Sequence, residues 1–122
     1  MRLGVTDHID CAHVLPGHPK CGRLHGHTYR IEVEIDGPAE GGGMVLDFAD
    51  LKAQVRTVLG RFDHRHWNDF LELPTVENIC AHLASELAGT LAFPFAIRVF
   101  EGHGKWAATS GEPTSSPGGR ER

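Results

Sequence analysis

The segment Cys21-Gly22-Arg23-Leu24-His25-Gly26-His27 holds two imidazoles separated by a single glycine. In extended backbone, side chains at i and i+2 leave the same face about 7 Å apart at the backbone, so the two rings can chelate one ion. Gly26 lets backbone or ligand approach closely between them. A third ligand must come from elsewhere in the chain, and His13 is the choice, because a strand ending there and pairing with the one after His27 brings its ring alongside. Three neutral imidazoles with a fourth position open form the pattern of catalytic rather than structural zinc. The plainer alternative is that these histidines line a turn and bind nothing. Cys11, two residues before His13, is a rival ligand but reads better as a small packed residue.

Cys21 sits after the Gly- and Pro-rich run Leu15-Pro16-Gly17-His18-Pro19-Lys20 and on no apolar stripe, so its thiol is open to reaction. With Lys20, Arg23 and a metal nearby it could act as a base or a nucleophile. Cys80, next to Ile79 on a helical stripe, reads as core. A further cluster, Asp63-His64-Arg65-His66-Trp67-Asn68-Asp69, contains an adjacent carboxylate and imidazole. Alone that pair is a common surface feature; near a reactive cysteine it becomes a carboxylate orienting an imidazole that exchanges protons. Glu101 ends the row Ile97, Val99 on one strand face. It is either a paired structural charge or an anchor whose two oxygens accept two N–H groups from a guanidine-like heterocycle.

The elements that must position these groups are legible. Leu3 and Val5 begin an alternation running toward His13. Tyr29, Ile31, Val33 and Ile35 alternate with Arg30, Glu32 and Glu34, a half-buried strand ended by Asp36-Gly37-Pro38. Met44-Val45-Leu46, after the Gly41-Gly42-Gly43 turn, reads as a third strand, and Phe95, Ile97 and Val99 as a fourth. Between them lie two helices. One is capped by Asp47 or Asp50 and carries the stripe Leu51, Val55, Val58, Leu59, Phe62; the other opens at the N-cap Thr75 and repeats Ile79, Leu83, Leu87 and Leu91 before Pro94. The expected fold is α+β, a four-stranded antiparallel sheet with two helices on one face.

Bulk properties bound the function. At 122 residues one domain is expected, and 40% hydrophobic with 23% charged residues excludes a disordered or fibrous chain. The expected domain is residues 1–108. From Thr109 onward every residue is Thr, Ser, Gly, Pro, Glu or Arg, so residues 109–122 are expected to be a disordered tail. The net charge of −4, with no basic stripe and few aromatics, argues against nucleic acid as a partner. No apolar run nears the roughly 18 residues of a membrane helix and residues 1–10 lack a signal-peptide pattern, so no membrane partner and a cytoplasmic location are expected. Three cysteines cannot all pair, and free thiols suit a reducing compartment.

Taken together, His13, Cys21-x-x-x-His25-Gly-His27, Asp47-Phe48-x-Asp50-Leu51-Lys52, Phe62-Asp63-His64, Asn68-Asp69, Pro74-Thr75 and Glu101 resemble, in order and spacing, the 6-pyruvoyl-tetrahydropterin synthase superfamily across about residues 3–107. The three residues between Cys21 and His25 are similar to the 6-carboxy-tetrahydropterin synthases of queuosine (7-deazaguanine) biosynthesis within it. The resemblance implies that His13, His25 and His27 hold zinc, that Cys21 is the general base, that Asp63 and His64 complete a proton relay, and that Glu101 anchors the pterin. It implies conversion of 7,8-dihydroneopterin triphosphate to 6-carboxy-tetrahydropterin with release of acetaldehyde and triphosphate. It also implies a tunnelling fold, in which subunits join their sheets into a barrel, as a homo-oligomer that is usually a hexamer, a dimer of trimers. Where the superfamily often has a Thr after this Glu and a Tyr at the end of the last strand, Gly102-His103-Gly104-Lys105-Trp106 follows here. A pyruvoyl-forming activity and a non-catalytic zinc- or pterin-binding module are the alternatives.

Overall fold

A computed structural model describes residues 1–114. The strands are β1 (Arg2–His13), β2 (His25–Asp36), β3 (Phe95–Glu101) and β4 (Trp106–Gly111), and the helices are α1 (Phe48–Leu59) and α2 (Val76–Ala88). The sheet order is β1-β2-β3-β4, antiparallel throughout. As the alternation requires, Tyr29, Ile31, Val33 and Ile35 of β2 and Phe95, Ile97 and Val99 of β3 are buried on one face. The helices cover that face with Leu51, Val55, Val58 and Leu59 from α1 and Ile79, Cys80, Leu83 and Leu87 from α2. Each such side chain contributes about 1.5–3 kcal/mol by leaving water.

The helix boundaries follow from their caps. The Asp47 carboxylate accepts from the Ala49 N–H at 2.8 Å, which settles the choice between Asp47 and Asp50, and Gly60 closes α1. The Thr75 hydroxyl accepts from the Asn78 N–H at 3.1 Å. Phe62 and Leu91 are buried as expected, but each lies beyond the end of its helix.

Two expectations are corrected. Met44-Val45-Leu46 is no strand: a bridge between Gly41 and Met44 closes a tight turn, and the two residues between that turn and the α1 cap leave no length for a ladder. The fourth strand is instead β4, which pairs with β3 from Phe100↔Trp106 to Phe95↔Gly111. The expected tail boundary after residue 108 therefore falls inside a strand, and the Thr114 N–H still donates to the Ala88 carbonyl at 2.8 Å. Polar composition misled here because β4 is an edge strand whose ladder, rather than its own side chains, holds it. Residues 115–122 of the expected tail lie outside the described residues.

The open edge of β1 is covered along its second half. The His8 N–H donates to the Asp7 carboxylate and its carbonyl accepts from Arg56 at 3.3 Å. Asp10 donates to the Asp63 carboxylate at 3.0 Å and accepts the His64 N–H at 2.7 Å. Ala12 donates to the Arg65 carbonyl at 3.1 Å and Val14 to the Asn68 side chain at 2.8 Å. The segment 63–68 thus lies along β1 like a partial extra strand.

Candidate metal centre and active site

His13, His25 and His27 project from the helix-covered face of the sheet, past the point where the apolar rows of β1 and β2 end. The register pairs His13 with His25, the last pair of the β1–β2 ladder, and places Cys11 opposite His27. One ring nitrogen from each of the three lies within 4.8 Å of the others. The predicted third ligand is thus His13, fully buried, and the rival thiol is committed elsewhere: Cys11 donates to the Phe62 carbonyl at 3.1 Å, and burial pushes it up to about 11.

Hydrogen bonding fixes two tautomers. His13 Nδ1 is 2.9 Å from the Pro74 carbonyl and His25 Nδ1 is 2.7 Å from the Arg23 carbonyl. A carbonyl only accepts, so each Nδ1 carries a proton and each Nε2 keeps a lone pair. Those two Nε2 atoms face one another at 3.0 Å, an arrangement that calls for a positive charge shared between them. A proton there would make an imidazolium, which burial disfavours: desolvation pushes His13 and His27 below the ordinary histidine range despite the opposing pull of the Glu101 carboxylate. His27 Nε2 is buried without a hydrogen-bond partner. Three neutral nitrogens, two held by backbone acceptors, fit a divalent ion of the zinc type.

Glu101, opposite Tyr29 at the end of β3, borders the cluster, with its oxygens 3.9 Å from His13 Nε2 and 3.8 Å from His27 Nε2. The Tyr29 ring packs beneath, 5.8 Å from His27 and 6.1 Å from Trp67 between centroids.

The predicted relay pair is built into the segment that covers β1. Asp63 Oδ1 accepts from the Asp10 N–H and lies 3.1 Å from His64 Nδ1, while Oδ2 is ion-paired with Arg56 of α1. Burial acts to raise the Asp63 carboxyl, but the Asp10 hydrogen bond, Arg56 and the nearby His64 together outweigh it and hold it below the usual carboxylate range. His64 is largely exposed and adopts φ 61, a left-handed conformation that a non-glycine residue takes up only when its surroundings impose it. A cleft of about 700 Å³ is bordered by Leu24, Gly26, His27, His64 and His66, so one member of the relay pair and one of the histidine cluster line the same space.

Cys21 stands apart from these groups. It is half-buried in the β1–β2 loop, where its carbonyl accepts from Leu15 N–H at 2.8 Å and its N–H donates to His18 Nδ1 at 2.9 Å. Among the described residues the candidate metal-binding groups contain no thiol. Sequence reasoning gave no role to Arg56, Asn68 or Pro74. Asn68 and Pro74 fell inside quoted motifs, but the contacts of Arg56 and Pro74 arise only when α1 and the α2 entry dock on β1.

Comparison with known proteins agrees with this architecture. The sequence profile of the 6-pyruvoyl tetrahydropterin synthase family matches residues 2–112. An Archaeoglobus fulgidus protein assigned provisionally as a 6-carboxy-5,6,7,8-tetrahydropterin synthase is 46% identical over 107 residues, 88% of this chain and 93% of its own length. The Synechocystis 6-carboxy-5,6,7,8-tetrahydropterin synthase is 41% identical over 88 residues, covering 65% of this chain and 68% of its own. The structure of Caenorhabditis elegans 6-pyruvoyl tetrahydropterin synthase superposes with a TM-score of 0.81 at 23% identity, over 92% of this chain and 96% of that one, and shares the fold.

Proposed function

The chain belongs to the 6-pyruvoyl tetrahydropterin synthase family, and on that premise we propose that it is a zinc-dependent 6-carboxy-5,6,7,8-tetrahydropterin synthase. The substrates are 7,8-dihydroneopterin triphosphate and one water, whose oxygen balances the new carboxyl group, and acetaldehyde and triphosphate are released with the carboxypterin, which enters 7-deazaguanine (queuosine) synthesis. The observation that carries the reading is the trio of imidazoles whose ring nitrogens converge within 4.8 Å of one another, two of them with Nε2 lone pairs facing each other. Relatives named for the 6-carboxy product, one of them aligned over most of the chain, support the choice of product.

His13, His25 and His27 are the residues that hold the ion. When bound, it supplies a Lewis acid that polarises oxygens of the substrate side chain and makes the adjoining C–H acidic. Cys21, half-buried in the β1–β2 loop and outside the ligand cluster, is the base that takes the carbon-bound proton. His64 serves the opposite end of the transfer: its Nδ1 is turned to Asp63, so Nε2 is left to exchange a proton in the cleft. The ionised Asp63 fixes that orientation, much as a carboxylate orients a base elsewhere. Glu101 accepts the N–H groups of the pterin ring at the floor of the site.

The test is incubation of zinc-loaded protein with 7,8-dihydroneopterin triphosphate and mass identification of the pterin formed. A 6-carboxy product with one acetaldehyde per turnover is expected. A product that retains all three side-chain carbons would favour the pyruvoyl-forming reaction, and zinc and pterin binding without turnover would favour a binding module.

A further inference from the structure

β1 loses its ladder at the residue that matters most to the metal centre. His13 pairs with His25 in the final rung of the β1–β2 register, so the chain beyond His13 has no sheet partner. At that point the side-chain amide of Asn68 takes the place of a strand. Its Oδ1 accepts the Val14 N–H at 2.8 Å and its Nδ2 donates to the Val14 carbonyl at 3.0 Å, the same two-bond exchange that a paired residue makes in an antiparallel sheet. The Val14 nitrogen belongs to the peptide group whose carbonyl carbon is that of His13. Clamping that peptide fixes ψ at His13, and with it the direction in which the His13 side chain leaves the strand.

Asn68 is itself held firmly. It lies in the single 3₁₀ turn Trp67–Asp69, and Trp67 is fully buried, stacked on Phe62 at 5.1 Å between ring centroids. The other restraint on His13 is the Pro74 carbonyl at Nδ1, which sets the rotation of the ring but not the departure of the backbone.

We propose that Asn68 is a positioning residue of the metal centre, which holds His13 in its ligating pose by acting as a surrogate strand for Val14. The proposal rests on the reading of His13, His25 and His27 as zinc ligands.

The experiment measures zinc dissociation constants of the full chain by chelator competition, with no pterin present. Asn68→Ala, and Asn68→Asp, which keeps the acceptor but loses the donor, are each compared with the unmodified protein and repeated in a His13→Ala background. Removing a group one step behind a ligand should weaken zinc about tenfold, the lower end for outer-shell partners. In the His13→Ala background, where the two remaining imidazoles keep a weaker zinc affinity that a weak chelator can still read, the same substitutions should change nothing, since the residue they position is gone. Val33→Ala, remote on β2, is the control for a mere loss of stability and should leave zinc affinity unchanged. Equal affinity in the unmodified protein and both Asn68 variants, or an equal loss with and without His13, would overturn the proposal alone. Failure of the unmodified protein to bind zinc would overturn the ligand reading and the proposal together.

Discussion

The metal centre makes its sharpest claims one side chain at a time. The unmodified protein should carry one zinc per chain, and His25→Ala or His27→Ala should each abolish tight binding, since two nitrogens cannot complete the set; metal analysis after gel filtration reads this directly. Cys21→Ala should keep both zinc and fold and lose turnover by orders of magnitude, because the thiol is outside the ligand cluster and needed only for the proton. Asp63 makes a prediction about acid. Its folded pKa is held below an unfolded value near ~3.9, so the native state binds fewer protons than the unfolded one and the stabilisation is complete at neutral pH. It is lost as pH falls from about 4 through the lowered folded value. Asp63→Asn should therefore be less stable than the unmodified protein at pH 7, with the gap closing below pH 4 in urea titrations. His25 and His27 were legible because a period of two dictates where side chains point. Arg56 was not, since nothing within α1 records that Asp63 and the middle of β1 will lie against it.

At the scale of elements, the entry to α2 carries both a cap and a ligand restraint. Thr75→Ala removes the hydroxyl that accepts from Asn78 N–H and should lower stability by about 1 kcal/mol in denaturant titrations. Long, strongly patterned elements were readable: β2 from its unbroken alternation, α2 from its cap and four-residue repeat. Short ones were not. Met44-Val45-Leu46 has the apolar character of a strand but no room for a partner, whereas Trp106-Ala107-Ala108-Thr109-Ser110-Gly111, the second half of which was expected to be tail, becomes a strand. Its place is set by pairing with β3 and by Ala107, whose carbonyl accepts from the buried Cys80 thiol. Gly111 packs so closely on Phe95 that any larger side chain would have to displace the ring. Such constraints come from neighbours distant in the chain, which local pattern does not encode.

As a whole molecule, the chain ends its sheet with β1 on one side and β4 on the other, and unpaired edges favour closure with other copies. Light scattering should give a multiple of the 13.3 kDa chain, six copies for a pair of stacked three-subunit rings; a monomer would exclude assembly as the answer to these edges. The covering of β1 decides where a neighbour could attach. From His8 to Val14, the outward N–H groups are taken by Asp7, Asp63, Arg65 and Asn68, and the carbonyls of His8, Asp10 and Val14 by Arg56, His64 and Asn68. What stays unsealed among the described residues is the stretch from Arg2 to Thr6, a slot about as long as β4. The segment that carries Asp63 and His64 is therefore also a doorstop: a strand added to this edge would be halted before it reached the histidines.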